Sequence, residues 1–508
     1  MLSVNGKNLK RIFIALTIIV STLMQNIVQA KAKTLITDTV IKESTTEKFI
    51  YDSIITEPKA KKLMDDTIIQ ESTEKKNNCW VTVLIHGSFS LRPHLSSFKT
   101  IWNMFKDTVE ESIYYRSTEI NRRDPFFYKN QAMAGLGLHK IDLHHPHNNA
   151  AAPILAASLE EISQQVGNPP SEFYYTFGWS GLVSNKLRYL ESAFLYQDLE
   201  KILKYLKKQG YNPKVRLIGY SHGGNLALQL GALHSTKPIS NQFFIDELWL
   251  LGTPIQVETD YLINSPVFKK VYNFYSRADN VQTLDFFSFK RFFSRKKFKK
   301  RNNFKLPDKL IQVRLKITEY ESKHNNKKYT LPPCDNPKEL ARYFKEVNYD
   351  PGHFELWFMG WTILTYRHTF PVYPLPLLTF LPIIVKYIEQ DPDIPHDLIA
   401  HLRPACNTIE LSPYHSKKGS YYKKYPFMDQ TLFKHMRYHA AKFVPDDYNI
   451  DMYNQKVYGA MDIAEHEWKE IKRLIKLEQR RKKKIPEIVN LHDDDPIYKG
   501  HLSAHMKQ

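Results

Sequence analysis

Short apolar runs recur through the middle of the chain, and each closes on a glycine or a polar turn. Trp80-Val81-Thr82-Val83-Leu84-Ile85 is followed by Phe173-Tyr174-Tyr175-Thr176-Phe177, Val215-Arg216-Leu217-Ile218, Ile245-Asp246-Glu247-Leu248-Trp249-Leu250-Leu251, Val271-Tyr272-Asn273-Phe274-Tyr275 and Ile311-Gln312-Val313-Arg314-Leu315-Lys316-Ile317. Runs this short, with little polar alternation, predict strands covered on both faces, as in a parallel sheet. Between them the apolar period lengthens. Phe98, Ile101, Trp102, Phe105 and Val109 mark an amphipathic helix over residues 98–114, and further helices are expected over 186–208 and from Gly224 onward. Strands alternating with helices predict an α/β fold: a mostly parallel sheet with helices on both faces and ligands gathered at the carboxyl ends of the strands.

The same pattern sets the expected boundaries. Residues 1–30 carry Lys7, Lys10 and Arg11, then an apolar run from Ile12 to Met24, then Val28-Gln29-Ala30, the layout of an export signal. The run is shorter than the roughly 20 residues a bilayer-spanning helix needs; an uncleaved N-terminal anchor is the alternative. Residues 31–78 are polar and aperiodic, a linker or loosely packed arm. The α/β domain is expected over 79–390, with 91–170 too long for an ordinary crossover and so a lid candidate. Residues 391–508 are expected to be a basic C-terminal extension, including a helix-compatible stretch from Ala464 to Lys484 to which no function is assigned.

Composition adds constraints. With 42% hydrophobic and 25% charged residues the chain is globular. Cys79, Cys334 and Cys406 are widely spaced and odd in number; burial as small hydrophobes is expected in preference to a disulfide framework. His139, His144, His145 and His147 are dense in imidazole but lack metal-ligand spacing, so a polar loop is expected and neither metal nor cofactor is required. The formal net charge is +19, concentrated partly in a basic loop over 288–306 and partly in Arg480-Arg481-Lys482-Lys483-Lys484. In the first run Lys and Arg interleave with Phe289, Phe292, Phe293, Phe298 and Phe304, a composition suited to an anionic membrane if the rings face outward, and to a solvated loop if they pack inward. No recognisable nucleic-acid-binding signature accompanies the charge.

The candidate chemistry centres on Gly219-Tyr220-Ser221-His222-Gly223, which joins the strand at Val215 to the helix beginning near Gly224. Glycines on both sides let strand and helix pass closely and raise the serine hydroxyl on a sharp turn. Upstream, the strand 80–85 ends in His86-Gly87-Ser88-Phe89; downstream, the strand near Leu250 ends in Gly252-Thr253-Pro254, that near Tyr275 in Asp279, and Asp350-Pro351-Gly352-His353 precedes an apolar helical stretch. Together these motifs, in the order serine, acid, histidine, resemble the α/β-hydrolase superfamily, nearest its lipases and esterases, over roughly residues 79 to 390. The resemblance implies Ser221 as nucleophile, Asp279 as the triad acid with Asp285 as the alternative, and His353 as the base with His324 as the alternative. It also implies backbone N–H groups of Ser88, with Phe89 the alternative, and of His222 as the oxyanion hole. The expected function is an exported serine hydrolase cleaving lipid or acyl esters through an acyl-enzyme, with peripheral contact to anionic membrane. A catalytically silent scaffold of the same fold, binding at the envelope or membrane surface, is the competing reading, because fold alone does not fix activity.

Overall fold

The computed structural model describes residues 77–88, 113–143, 150–167, 173–283, 294–323, 337–360, 370–414, 422–442 and 450–484. The signal and nearly all of the arm, most of the helix expected over 98–114, Asp285, His324 and residues 288–293 of the basic loop lie outside them.

The protein is an α/β structure with one mixed, mostly parallel sheet flanked by helices. Its strands are β1 (Asn77–Ile85), β2 (Gly137–Lys140), β3 (Phe173–Gly178), β4 (Tyr211–Tyr220), β5 (Ile245–Leu251), β6 (Phe268–Tyr275), β7 (Leu310–Ser322), β8 (Phe344–Tyr349), β9 (Asp397–Arg403), β10 (Thr408–Pro413) and β11 (Lys423–Pro426). The order is β2-β3-β1-β4-β5-β6-β7-β9-β10-β11, with β8 pairing beside β7. Strands β3 through β9 along that path are parallel, whereas β2, β8, β10 and β11 join antiparallel. From β1 the chain steps outward to β3 and then returns across β1 to β4, so the topology reverses at β1 and β4. Their carboxyl ends open the crevice in which such sheets bind ligands.

The helices are α1 (Ile113–Arg123), α2 (Ala151–Gln165), α3 (Asn185–Lys208), α4 (His222–His234), α5 (Pro337–Tyr343), α6 (His353–Trp357), α7 (Leu381–Glu389), α8 (Gln430–Lys442) and α9 (Ile450–Lys484). Successive strand residues face opposite sides and feed two cores. Val83, Leu217 and Leu248 pack with Leu195 and Leu199 of α3 and Leu226 and Leu230 of α4. Their neighbours Leu84, Ile218 and Trp249 join Leu155 and Leu159 of α2, Ile384 and Ile388 of α7 and Phe433 of α8. Burial on both faces explains why the central strands read as unbroken apolar runs.

Three expectations change. The strand at Ile311 is not the last: β9 pairs parallel with β7 and carries β10 and β11, so a boundary at 390 would cut through the sheet. Leu398, Ala400 and Leu402 are buried while their neighbours are half-exposed, because this end of the sheet is covered on one face only. Next, the described part of 91–170 is no detached lid, since α2 buries Ile154, Leu155, Leu159 and Ile162 against the sheet. Last, Cys79 is buried and free as expected, but Cys406 is disulfide-bonded rather than packed as a thiol, its partner lying outside the described residues.

Candidate functional site

Ser221 stands between β4 and α4 with φ 51° and ψ −129°, a positive φ that a residue with a side chain rarely adopts. The surroundings enforce it. Ser221 N–H donates to Leu251 O at 2.9 Å, and its own carbonyl accepts from Gly224 N–H at 3.0 Å. A Cβ on Gly223 would fall 2.3 Å from His86 O, so only glycine lets α4 start against the end of β1. On the other side, a Cβ on Gly87 would lie 2.9 Å from Ser221 Cβ, which puts the serine directly over the loop that follows β1. Strain of this kind costs about 1–3 kcal/mol and persists only where packing over-determines it.

Asp279 follows β6 and is fully buried; its Oδ2 lies 2.7 Å from His353 Nδ1, and its Oδ1 accepts from Gln282 N–H at 3.2 Å. His353 opens α6, just after β8. With Nδ1–H donating to the carboxylate, the lone pair resides on Nε2. The pair rests on the turn after β5, where a Cβ on Gly252 would lie 3.1 Å from Asp279 Oδ2 and 3.2 Å from His353 Nδ1. Tyr220 joins the two halves. Its ring lies 4.7 Å from that of His353 and stacks on Trp357 at 5.1 Å, while its hydroxyl donates to His353 O at 3.1 Å. The residue covalently preceding Ser221 thus holds the imidazole. Burial, first, and the nearby Asp279 and Glu355 raise the Tyr220 hydroxyl far above the usual phenol range, so it remains a neutral donor.

The loop after β1 is fixed by His86. Its Nδ1–H donates to Gly87 O at 2.7 Å, its Nε2 accepts from Trp179 N–H at 3.3 Å, and the Trp179 indole donates to His86 O at 2.7 Å. Burial lowers the His86 pKa to about 4 despite these bonds, so the ring stays neutral. Because Gly87 C=O and Ser88 N–H belong to one rigid peptide, holding that carbonyl also sets the direction of the N–H. Ser88 Oγ is buried and has no hydrogen-bond partner among the described residues. His222 begins α4, and its Nδ1 lies 2.8 Å from Arg188 Nη1, whose Nη2 donates to Gln256 Oε1 at 2.8 Å. Arg188 is 1% exposed, a buried cation beside a helix N-terminus. One turn along α3, Glu191 accepts from Ser180 N–H at 2.7 Å and Ser180 Oγ at 2.8 Å. Desolvation raises its pKa to about 7, with the Ser180 bonds, Arg122 and Arg188 pulling the other way.

The structure thus pairs Asp279, after β6, with His353, after β8; Tyr220 links that pair to Ser221 and His222 at the end of β4, and the loop bearing Ser88 after β1 packs against Ser221. Sequence reasoning missed Tyr220, Arg188, Glu191, Trp179 and Gln282. Only Gln282, three residues after Asp279 in a turn, had a local signal. Arg188 and Glu191 look like the polar face of an amphipathic helix. Elsewhere, His139 sits on β2 with Nε2 3.0 Å from Leu136 O, and no group of three or more His, Cys, Asp or Glu able to hold a metal occurs among the described residues. In the described part of the basic loop, Phe298 and Phe304 are buried, and Lys297 and Arg301 pair with Asp397 and Asp260. A cleft of about 590 Å³ near Tyr320, Arg403 and Glu410 contains none of the five site residues. A scan of the chain against protein-family models finds none that matches, and searches of curated proteins and of solved structures return no similar protein.

Proposed function

We propose that the chain is an exported serine hydrolase of the α/β-hydrolase type, acting on carboxylic esters and most naturally on acyl or lipid esters. The observation that carries the reading is the buried His353–Asp279 pair beside a serine held at positive φ on the strand-to-helix turn. The strand order supports it, since an elbow strand central to the parallel sheet and adjacent to the strand bearing His86-Gly87 is the arrangement of that fold.

In this reading His353 Nε2 takes the proton of Ser221 Oγ as the oxygen attacks the ester carbonyl. Asp279 holds the ring with Nδ1 protonated and stabilises the imidazolium that forms. The carbonyl oxygen, now negative, is met by the N–H groups of Ser88 and His222, helped by the positive end of α4. Collapse expels the alcohol, which takes the proton from His353, and leaves an acyl group on Ser221; water then gives a proton to His353 as it attacks the acyl carbon, and collapse breaks the bond to Ser221 Oγ, which takes that proton back as the acid leaves. The disulfide at Cys406 supports export, because such bonds persist in oxidising compartments.

The test is covalent labelling by a fluorophosphonate probe, with hydrolysis of an acyl-ester series of increasing chain length, in wild type and Ser221→Ala. Labelling confined to the wild type together with turnover supports the reading. A folded protein that neither labels nor turns over any ester would be the silent scaffold.

A further inference from the structure

Helix α9 carries one apolar stripe over two different surroundings. At 100° per residue, Val457, Ala460, Met461, Ala464, Trp468, Ile471 and Ile475 fall within about 100° of one another. The first four are buried against the body of the protein. Trp468 is half-buried beneath Arg116, and Ile471 is half-buried. Beyond it the stripe is uncovered: Ile475 is 47% exposed, and Leu474 on its edge is 54% exposed. From Ile471 to Lys484 the helix runs on for about 20 Å at 1.5 Å per residue. Lys472, Lys476 and Arg480 fall on the flank next to the stripe together with Lys469 and Arg473, which pair with Glu465 and Glu470; Arg481 lies on the other flank, Glu478 sits on the stripe's edge, and all six cations are exposed. An apolar strip bordered by a row of cations on an exposed helix fits a layer of anionic headgroups above acyl chains.

We propose that the distal part of α9, from Trp468 onward, is the docking element for an anionic phospholipid surface. Leu474 and Ile475 enter the headgroup boundary while Lys472, Lys476, Arg480 and Arg481 neutralise the lipid phosphates. In the described part of the loop 288–306, Phe298 and Phe304 are committed to the core, so those two rings are not free to enter a membrane. The inference deepens the ester-hydrolase reading by supplying the surface on which a lipid substrate is met, and its experiment requires no ester.

Full-length protein is sedimented with vesicles of phosphatidylcholine alone and of phosphatidylcholine with phosphatidylglycerol. Binding is expected only with the anionic lipid and should weaken with salt. Lys476→Gln with Arg480→Gln should weaken it about thirtyfold, each cation near such a surface contributing about fivefold. Leu474→Ser with Ile475→Ser should weaken it while keeping every charge. Both double variants change exposed positions only, so their melting and their turnover of a soluble short ester should match wild type. Neutralising the exposed Lys299, Lys300 and Lys305 should leave vesicle binding intact. Equal binding to neutral vesicles, or binding indifferent to both α9 variants, overturns the proposal. So does loss of a dimer in Leu474→Ser/Ile475→Ser without vesicle binding in the wild type, which assigns the stripe to a second copy. Salt-sensitive binding of single-stranded RNA in place of vesicles overturns it too. Short-ester turnover is read separately, so a failure here leaves the hydrolase reading standing.

Discussion

Tyr220→Phe removes one hydroxyl and nothing else, and so isolates what holds the imidazole. In the wild type the oxygen donates to His353 O at 3.1 Å while the ring is clamped between His353 and Trp357. The phenylalanine ring keeps both aromatic contacts. The loss is therefore one buried hydrogen bond, about 1 kcal/mol of stability, which in a chain of this size moves the melting temperature by no more than about 2 °C. Activity should suffer more than stability. His353 begins a helix only five residues long, with no side-chain cap at its start, so few other bonds fix its backbone. A shift of some tenths of an ångström in Nε2 degrades proton transfer without touching substrate binding. We expect kcat to fall about tenfold, equivalent to about 1.4 kcal/mol of barrier, with KM nearly unchanged. Fluorophosphonate labelling, which needs the same proton transfer, should slow in parallel. A variant that melts earlier but labels and turns over at the wild-type rate would refute the argument, leaving Tyr220 a packing residue only.

Ser221→Ala should lower turnover at least about a thousandfold with the fold intact, whereas Ser221→Gly should be equally inactive yet about 1 kcal/mol more stable by relieving the positive φ; ester assays and urea unfolding check both. Asp279→Asn should cost about 10⁴ in kcat and His353→Ala a comparable amount, while Asp285→Asn and His324→Ala should be mild; a reversed ranking in kinetics would reassign that role. Glu191 has its folded pKa raised from 4.5 to about 7, so folding is favoured by protonation: this stability is fully present below about pH 4.5 and is lost as pH rises through about 7. Glu191→Gln, which can keep both Ser180 contacts, should flatten that fall in melting temperature, and an unchanged pH profile would argue against a buried, proton-sensitive carboxyl.

The candidate site was legible where one short segment carries both its candidate chemistry and its geometry. The glycines around Ser221, the His86-Gly87 strand end and the turn-borne Asp279 and His353 each announce themselves within a few residues. Arg188 could not be found this way, because the residue it contacts lies 34 positions downstream and nothing local distinguishes a buried arginine from a solvated one. The fold divides similarly. Central strands buried on both faces read as apolar runs, while Asp397–Arg403 alternates and passes for polar extension because one face meets water. Strand β8 is short, largely exposed on one face and antiparallel, and its residues Phe344–Tyr349 lack any run to betray them.

The position of β9 has a bearing on biogenesis. All five site residues precede residue 354, yet the edge of β7 stays open until Asp397–Arg403 arrives to pair with it. A nascent chain ending near residue 390 would thus hold all five candidate site residues on an unclosed sheet, with a row of free backbone N–H and C=O groups along β7. Such an edge recruits other strands. Release before the C-terminal strands emerge would favour aggregation over a shorter folded protein, so the segment that carries none of the candidate site residues governs when the sheet edge is covered.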